Sequence, residues 1–334
     1  MRKVDVSEAV EILRQGELVC LPTETVYGLG ADGLNSEAVE KIFLTKGRPK
    51  GNPLILHIDS MEMLQQVAKD IPAKAKLLMD KFWPGPLTLV LNKTVAVPEI
   101  VTAGRETVCV RMPKHDLTLE VIKQLGRPIA APSANKSGRP SPTNLKDLEK
   151  EMPNLPVVDG GDCRLGLEST VVDARFEEVK VLRLGSLSVE ELENVLGEKV
   201  VMVNKTVLVE APGQAFKHYS PRGQVVLIWP WESFGEKISV NNGSAYTAVE
   251  EAYADLYDRY KCGIICSAER EKLYFGYEVL NLGGSSEEQA NRLFAVLHQT
   301  EDLGWEKVIV DMTGIDVGKG LSQTILERLT RAAE

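Results

Sequence analysis

No stretch of the chain approaches the ~20 consecutive apolar residues of a membrane span, so a membrane-spanning protein is not expected. The opening residues, MRKVDVSEAVEIL, interrupt any apolar run with acidic ones and do not resemble a signal peptide. A cytoplasmic protein is therefore expected. Positive charge is also short: 39 Lys and Arg stand against 48 Asp and Glu, for a net charge of -9. A protein built to hold a nucleic-acid backbone usually carries a basic surplus, so stable nucleic-acid binding is not expected. A local basic patch for a small anion is still allowed, because the average hides clusters.

Cysteine is scarce. Cys20, Cys109, Cys163, Cys262 and Cys266 are odd in number and lack CxxC spacing, which speaks against a disulfide framework or a zinc ribbon. Cys262 and Cys266 lie four apart on a strand-like segment, roughly 13 Å, too far to bridge. Buried thiols in a reducing compartment are the expectation. The four histidines, His57, His115, His218 and His298, have no Ser or Cys at triad spacing, and no His/Cys/Asp group has metal-ligand spacing. A working P-loop is missing too. GIDVGKGLS (314–322) comes nearest, but its glycines stand one residue too close and Gly320 occupies the place of the magnesium-binding Ser or Thr. It reads as a strand-to-helix turn.

What is present is an ordinary globular composition, 43% hydrophobic and 26% charged, over 334 residues. That length suits two domains with cores built by burial. Strand-like and helix-like segments alternate. A helix over 7–15 has Ser7 as its expected cap, and Asn35 or Ser36 caps a second that Gly47 stops. Strands are expected at 18–21, 53–58, 87–91, 107–111, 128–131, 157–158, 170–172 and 179–184. The stretch 205–223 lacks periodicity and reads as a linker, yet it contains His218, Tyr219 and Arg222, which a plain spacer would not need. Beyond it, four apolar strands alternate with helices, as in a small parallel sheet.

Four segments carry candidate chemistry. In KGRPKGNPL (46–54), Lys46, Arg48 and Lys50 alternate and would point the same way if extended. They suit an anion, although a solvated charge cluster would look the same. In TVCVR (107–111), Thr107, Cys109 and Arg111 share one strand face, and a guanidinium there can bind carboxylate or phosphate bidentately. An exposed arginine on a solvated face is the competing reading. APSANKSGRPSPT (131–143) crowds hydroxyls, amides and free N–H groups at a strand's end, fit for phosphate oxygens or simply a polar turn. PTETVYGLGADG (22–33) puts Thr23, Thr25 and Tyr27 on one face of an extended segment, which β-branched strand filling would also explain.

These segments in this order, with LESTVVD, VLRLG and HYSP, resemble the YrdC family of threonylcarbamoyl-AMP synthases in its long, two-domain form. The resemblance covers about the first 200 residues and continues through HYSP and the carboxy-terminal domain. It implies an α/β fold: a twisted mixed-sheet YrdC-like catalytic domain (1–204) around a large concave cleft, with helices outside. A linker (205–223) would close over the active site, and a smaller Rossmann-like parallel α/β domain would fill 224–334. The implied reaction makes L-threonylcarbamoyl-AMP from L-threonine, bicarbonate or CO₂ and ATP, releasing pyrophosphate. The product would pass to a threonylcarbamoyl transferase that modifies tRNA next to the anticodon.

The same resemblance implies the residues. Lys46, Arg48, Ser133 and Asn135 match the family's KxR and SxN pairs. Arg48, Asn52, Thr107, Ser133, Ser141, Arg183 and Tyr219 match ATP contacts. Thr25, His57, Arg111, Ala131 (through its backbone) and Ser169 match threonine contacts. Magnesium would come with ATP, on phosphate oxygens, with no protein ligands. The linker reads GQAFKHYSP where the family usually has GMKYKHYAP, which bears on packing rather than chemistry. The alternative is an RNA-binding module of the same fold without adenylate synthesis, which the acidic balance disfavours.

Overall fold

Capping chemistry sets the helix boundaries in the computed structural model, which describes residues 1–203, 218–229, 245–315 and 318–334. The first helix, Val6–Arg14, starts one residue before the expected span. Its cap is Asp5, whose carboxylate accepts from the Glu8 N–H at 2.8 Å, so Ser7 lies inside the first turn. The second, Ser36–Lys46, is capped by Asn35, whose Oδ1 accepts from Glu37 and Ala38. It ends at Gly47 with φ 62°, the left-handed stop that glycine adopts without strain.

The described chain divides into two units: residues 1–137 with 141–216, and residues 138–140 with 217–334. In the first, β1 (Arg2–Val4), β2 (Val19–Leu21), β3 (Gly28–Asp32), β4 (Ile55–His57), β5 (Ala68–Lys69) and β6 (Leu87–Lys93) are followed by six more strands. These are β7 (Thr107–Arg111), β8 (Ile129–Ala130), β9 (Pro156–Val158), β10 (Thr170–Asp173), β11 (Lys180–Arg183) and β12 (Val201–Met202). They form one 12-stranded mixed sheet in the order β1-β9-β2-β3-β8-β4-β7-β6-β10-β11-β12, with β5 beside β6.

Strand alternation gives the sheet two different faces. Leu56, Leu87, Leu89, Leu91, Val108, Val110, Val172 and Val181 join helical residues such as Val10, Leu13, Val39, Ile42, Leu78 and Val121 in the main core. Each fully buried aliphatic side chain there contributes about 1.5–3 kcal/mol. On the other face a small cluster of Ile55, Val90, Cys109, Val171 and Leu182 comes from strands alone. That inner face is continued by His57 and Arg111, which pair across β4 and β7.

The second unit carries β13 (Gln224–Ile228), β14 (Cys262–Cys266), β15 (Val279–Asn281) and β16 (Lys307–Asp311). They make an all-parallel sheet in the order β13-β16-β14-β15. Helices Ala245–Tyr257, Ser286–Asp302 and Leu321–Ala333 accompany it. This is the small parallel α/β arrangement that the strand–helix alternation implied. Asp311, fully buried at the end of β16, accepts from Tyr274 Oη at 2.6 Å and from the Thr313 N–H at 3.0 Å, and pairs with Arg270. The near-P-loop segment joins β16 to the last helix, with residues 316–317 outside the described ones. All five cysteines are buried free thiols. Among the described residues no helix is long and apolar enough to cross a membrane.

Candidate active site

Arg111 ends β7 on the inner face and is 4% exposed. Three neighbours fix its guanidinium. Nε donates to the Gly85 carbonyl at 3.2 Å, Nη1 to Thr25 Oγ1 at 3.0 Å, and Nη2 to Glu24 Oε2 at 2.7 Å. Gly85 must be glycine, because a Cβ there would lie 2.3 Å from the Phe82 carbonyl oxygen. The Pro84-Gly85-Pro86 break thus brings a carbonyl to the arginine. Arg111 is buried and bonded, so the exposed-arginine reading of TVCVR does not hold.

Thr25 is not on a regular strand. Thr23 folds the segment back on itself, its Oγ1 bonding Val26 O at 2.7 Å and receiving the Thr25 and Val26 N–H groups. The Thr23 and Thr25 hydroxyls meet at 2.8 Å. Tyr27, expected on their face, reaches instead to the Gly161 carbonyl at 2.8 Å. The extended-segment expectation for 22–27 is therefore corrected: a hydroxyl-centred turn precedes β3.

His57, the register partner of Arg111, is 4% exposed, and its Nδ1 has no hydrogen-bond partner. Burial first, and the Arg111 charge second, hold its pKa down at about 3. It is neutral at physiological pH. Cys109 shares this face, but burial raises its thiol to about 12, so it is no nucleophile. Ala131 is tied in by its N–H, which donates to the Ile55 carbonyl at 3.1 Å.

The KxR segment departs from the alternating picture. Lys46 is the last residue of its helix and is buried, Arg48 is half-buried, and exposed Lys50 pairs with Glu40. The three cations do not share one extended edge. The Lys46 ammonium donates to the carbonyls of Ser133 and Asn135. Its pKa is well below the ordinary range, through burial first and the Arg48 charge next. Its bonds hold up the PSAN turn from beneath. Arg48 Nη2 donates to the Pro53 carbonyl at 2.8 Å and Nε to the Asn52 carbonyl at 3.2 Å, shaping the 48–53 loop. Asn52 is 2% exposed, and its Oδ1 accepts no hydrogen bond.

Ser133 bridges Gly28 at the start of β3, and Ala134 N–H donates to the Tyr27 carbonyl at 2.8 Å. The PSAN turn, the PTET segment and β4 are thereby adjacent. β8 and β7 flank β4 and run in opposite directions: Ile129, the start of β8, and Arg111, the end of β7, both register on His57, and the chain leaves β8 toward the PSAN turn at the level of Ile55. Farther along, Ser169 Oγ meets Thr88 Oγ1 at 2.7 Å, and Arg183 Nη2 donates to Ser169 O at 2.7 Å and Oγ at 3.1 Å. A bulge between β10 and β11 sets Arg183 opposite Val171, on the inner face. Ser141 Oγ donates to Glu168 Oε1 at 2.8 Å. Thr107 begins β7, half-buried, opposite Asn92.

The fold thus gathers Thr25, Lys46, Arg48, Asn52, His57, Thr107, Arg111, Ala131, Ser133, Asn135, Ser141, Ser169 and Arg183 within the first unit. Tyr219 belongs to the second. There it is buried with φ 66°, stacks on Phe294 at 5.3 Å and lies 4.8 Å under the Arg328 guanidinium. Residues 205–217 of the expected linker lie outside the described ones. Two buried acids escaped sequence reasoning, Glu24 and Glu168. Their only signal was a place inside PTETVYGLG and LESTVVD.

Two family models cover the chain. One, described as telomere recombination and spanning Sua5, YciO and YrdC proteins, matches residues 11–185. The other, described as the threonylcarbamoyl-AMP synthase C-terminal domain, matches residues 187–334. The threonylcarbamoyl-AMP synthase of Pyrococcus abyssi is 41% identical over 332 residues, 97% of this chain and 93% of that protein. That of Schizosaccharomyces pombe is 34% identical over 369 residues, 97% and 87%. A crystal structure of P. abyssi Sua5 complexed with L-threonine superimposes with a TM-score of 0.88 at 38% identity, covering 99% of this chain and 96% of that one.

Proposed function

Since the chain belongs to the Sua5/YciO/YrdC family, in its two-domain form, we propose that this inner-face site joins L-threonine, bicarbonate or CO₂ and ATP into L-threonylcarbamoyl-AMP, releasing pyrophosphate. The observation that carries this is the buried, pre-set Arg111 beside Thr25 and neutral His57, with the Lys46-braced PSAN turn leaving the strand on the other side of β4. One end suits an amino-acid carboxylate and the other a polyphosphate.

In this reading Arg111, Thr25, His57, Ser169 and the Ala131 backbone hold threonine. Arg48, Asn52, Thr107, Ser133, Ser141 and Arg183 hold ATP, and Tyr219 is assigned to ATP by the resemblance alone. The amine captures CO₂ as a carbamate. A carbamate oxygen then attacks the α-phosphorus, and pyrophosphate leaves with its bonding electron pair. No enzyme nucleophile is required, and the buried Cys109 thiol offers none. Rate comes from alignment and from cations placed where phosphate charge builds. Lys46 serves this chemistry by holding the Ser133–Asn135 turn.

Magnesium is assigned to the ATP phosphates. Among the described residues no three His, Cys, Asp or Glu side chains group as a protein metal cage would need. We assign the reaction to the cytoplasm, upstream of a transferase that modifies tRNA. The RNA-binding alternative draws no support from full-length relatives named for the synthase.

Pyrophosphate release with ATP tests the reading, leaving out one component at a time. Release that needs both threonine and bicarbonate is expected. Release that continues without threonine would reject it.

A further inference from the structure

Glu24 has no part in the roles above, yet it is among the most costly side chains in the site. It is 4% exposed, pairs with Arg111 through Oε2 at 2.7 Å, and leaves Oε1 with no hydrogen-bond partner. A carboxylate at that depth is unfavourable unless paired, and well-packed apolar residues often replace such pairs without loss of stability. Its presence therefore calls for a purpose in binding.

The charge count supplies one. A guanidinium has five N–H donors, and Gly85, Thr25 and Glu24 take one each from Nε, Nη1 and Nη2. One N–H on each Nη is left for a ligand carboxylate. Arg111 alone would present an uncompensated positive charge, for which a simple anion is the best ligand. With Glu24 beside it the pair is neutral, and His57, the cross-strand neighbour, adds no charge. A ligand of net charge -1 would then put an unbalanced charge into a buried, neutral place. An α-amino acid zwitterion would not, since its ammonium balances its own carboxylate beside the acidic side chain.

We propose that Glu24 makes the amino-acid site selective for zwitterions: it orients Arg111 and cancels its charge, so the site takes threonine and rejects the matching α-hydroxy acid anion. This rests on the reading that Arg111 holds the threonine carboxylate. Its use is clear for a reaction that begins at the amine. An occupant with a carboxylate but no amine would block the site unproductively, and specificity of this kind is set by what is made unfavourable.

The test is calorimetric titration of the full chain with L-threonine and with 2,3-dihydroxybutanoate, the analogue bearing hydroxyl in place of ammonium. The wild type is expected to prefer threonine at least tenfold. Glu24→Gln keeps the size and an acceptor oxygen for Arg111 but removes the charge. It should weaken threonine about tenfold while leaving the hydroxy acid unchanged or tighter. A scaffolding role alone would weaken both ligands together, and that parallel loss would overturn the proposal. So would an unchanged ratio. Should Glu24→Gln fail to fold by circular dichroism, the wild type decides: equal affinity for the two ligands refutes the idea. Arg111→Ala separates the premise, since threonine binding that survives this substitution removes the carboxylate anchor itself, whatever Glu24 does.

Discussion

Acidifying from pH 7.5 to 5.0 should cost this protein about 2 kcal/mol of folding stability through His57 alone. The ring titrates at about 3 when folded, against an ordinary 6.5. Above 6.5 it is neutral in both states and no proton separates them. Below 6.5 the unfolded chain takes up a proton that the folded one refuses, and stability falls by about 1.4 kcal/mol per pH unit. The loss continues down to about 3, where the folded ring also protonates. At pH 5.0 the unfolded ring is almost wholly charged, which gives the figure of about 2 kcal/mol. Urea unfolding of wild type and His57→Gln at both pH values isolates the contribution, because the other groups cancel. The wild type should lose about 2 kcal/mol more than the variant. With only four histidines, the His57 ring proton is also assignable by NMR and should not shift between pH 8 and 5. A ring that titrates near 6 would refute the burial argument, and with it the neutral His57 on which the threonine site depends.

Lys46→Met keeps the stem and removes the donor shared by the Ser133 and Asn135 carbonyls, which should cost about 1–3 kcal/mol per carbonyl left unpaired. Thermal melting reads the loss, and pyrophosphate release should fall even though Arg48 is intact. Arg48→Ala, at a half-buried loop position, should change stability by less than about 1 kcal/mol yet cut the rate about a hundredfold; a folded variant of unchanged rate would remove Arg48 from the phosphate site. Gly185→Ala would set a Cβ 2.3 Å from the Ser169 carbonyl carbon, so a destabilisation of about 3 kcal/mol is expected in denaturant titration.

What could be read from the sequence was what local chemistry decides. The alternation in TVCVR put Cys109 and Arg111 on one face, and they are there. Asn35 and Gly47 bound a helix for the reasons capping gives. The family resemblance named the candidate residues, all but Tyr219 of which lie in the first unit. Contacts made across long sequence distance were not legible. Lys46 looked like a phosphate-seeking surface cation because its partners lie 87 and 89 residues on, in a turn that only the folded sheet brings over it. Glu24 drew no notice, because nothing local shows that Thr23 turns the segment, or that Arg111 waits 87 residues away. Asp5 took the cap from Ser7 because its oxygen meets the Glu8 N–H, a competition between two good capping residues that residue type alone does not decide.

The strand order has a consequence for how this molecule comes into being. Arg2 pairs with Pro156, Ala31 with Ala130, and Leu87 with Thr170. Partners so distant along the chain bring large loop-closure penalties early and low contact locality throughout, the condition for slow folding. During synthesis β1 must wait, unpaired, until the ribosome has released β9, and one edge of β6 must wait for β10. Chaperone dependence and sensitivity to translation pauses before Arg183 should therefore follow from topology, independent of any catalytic side chain.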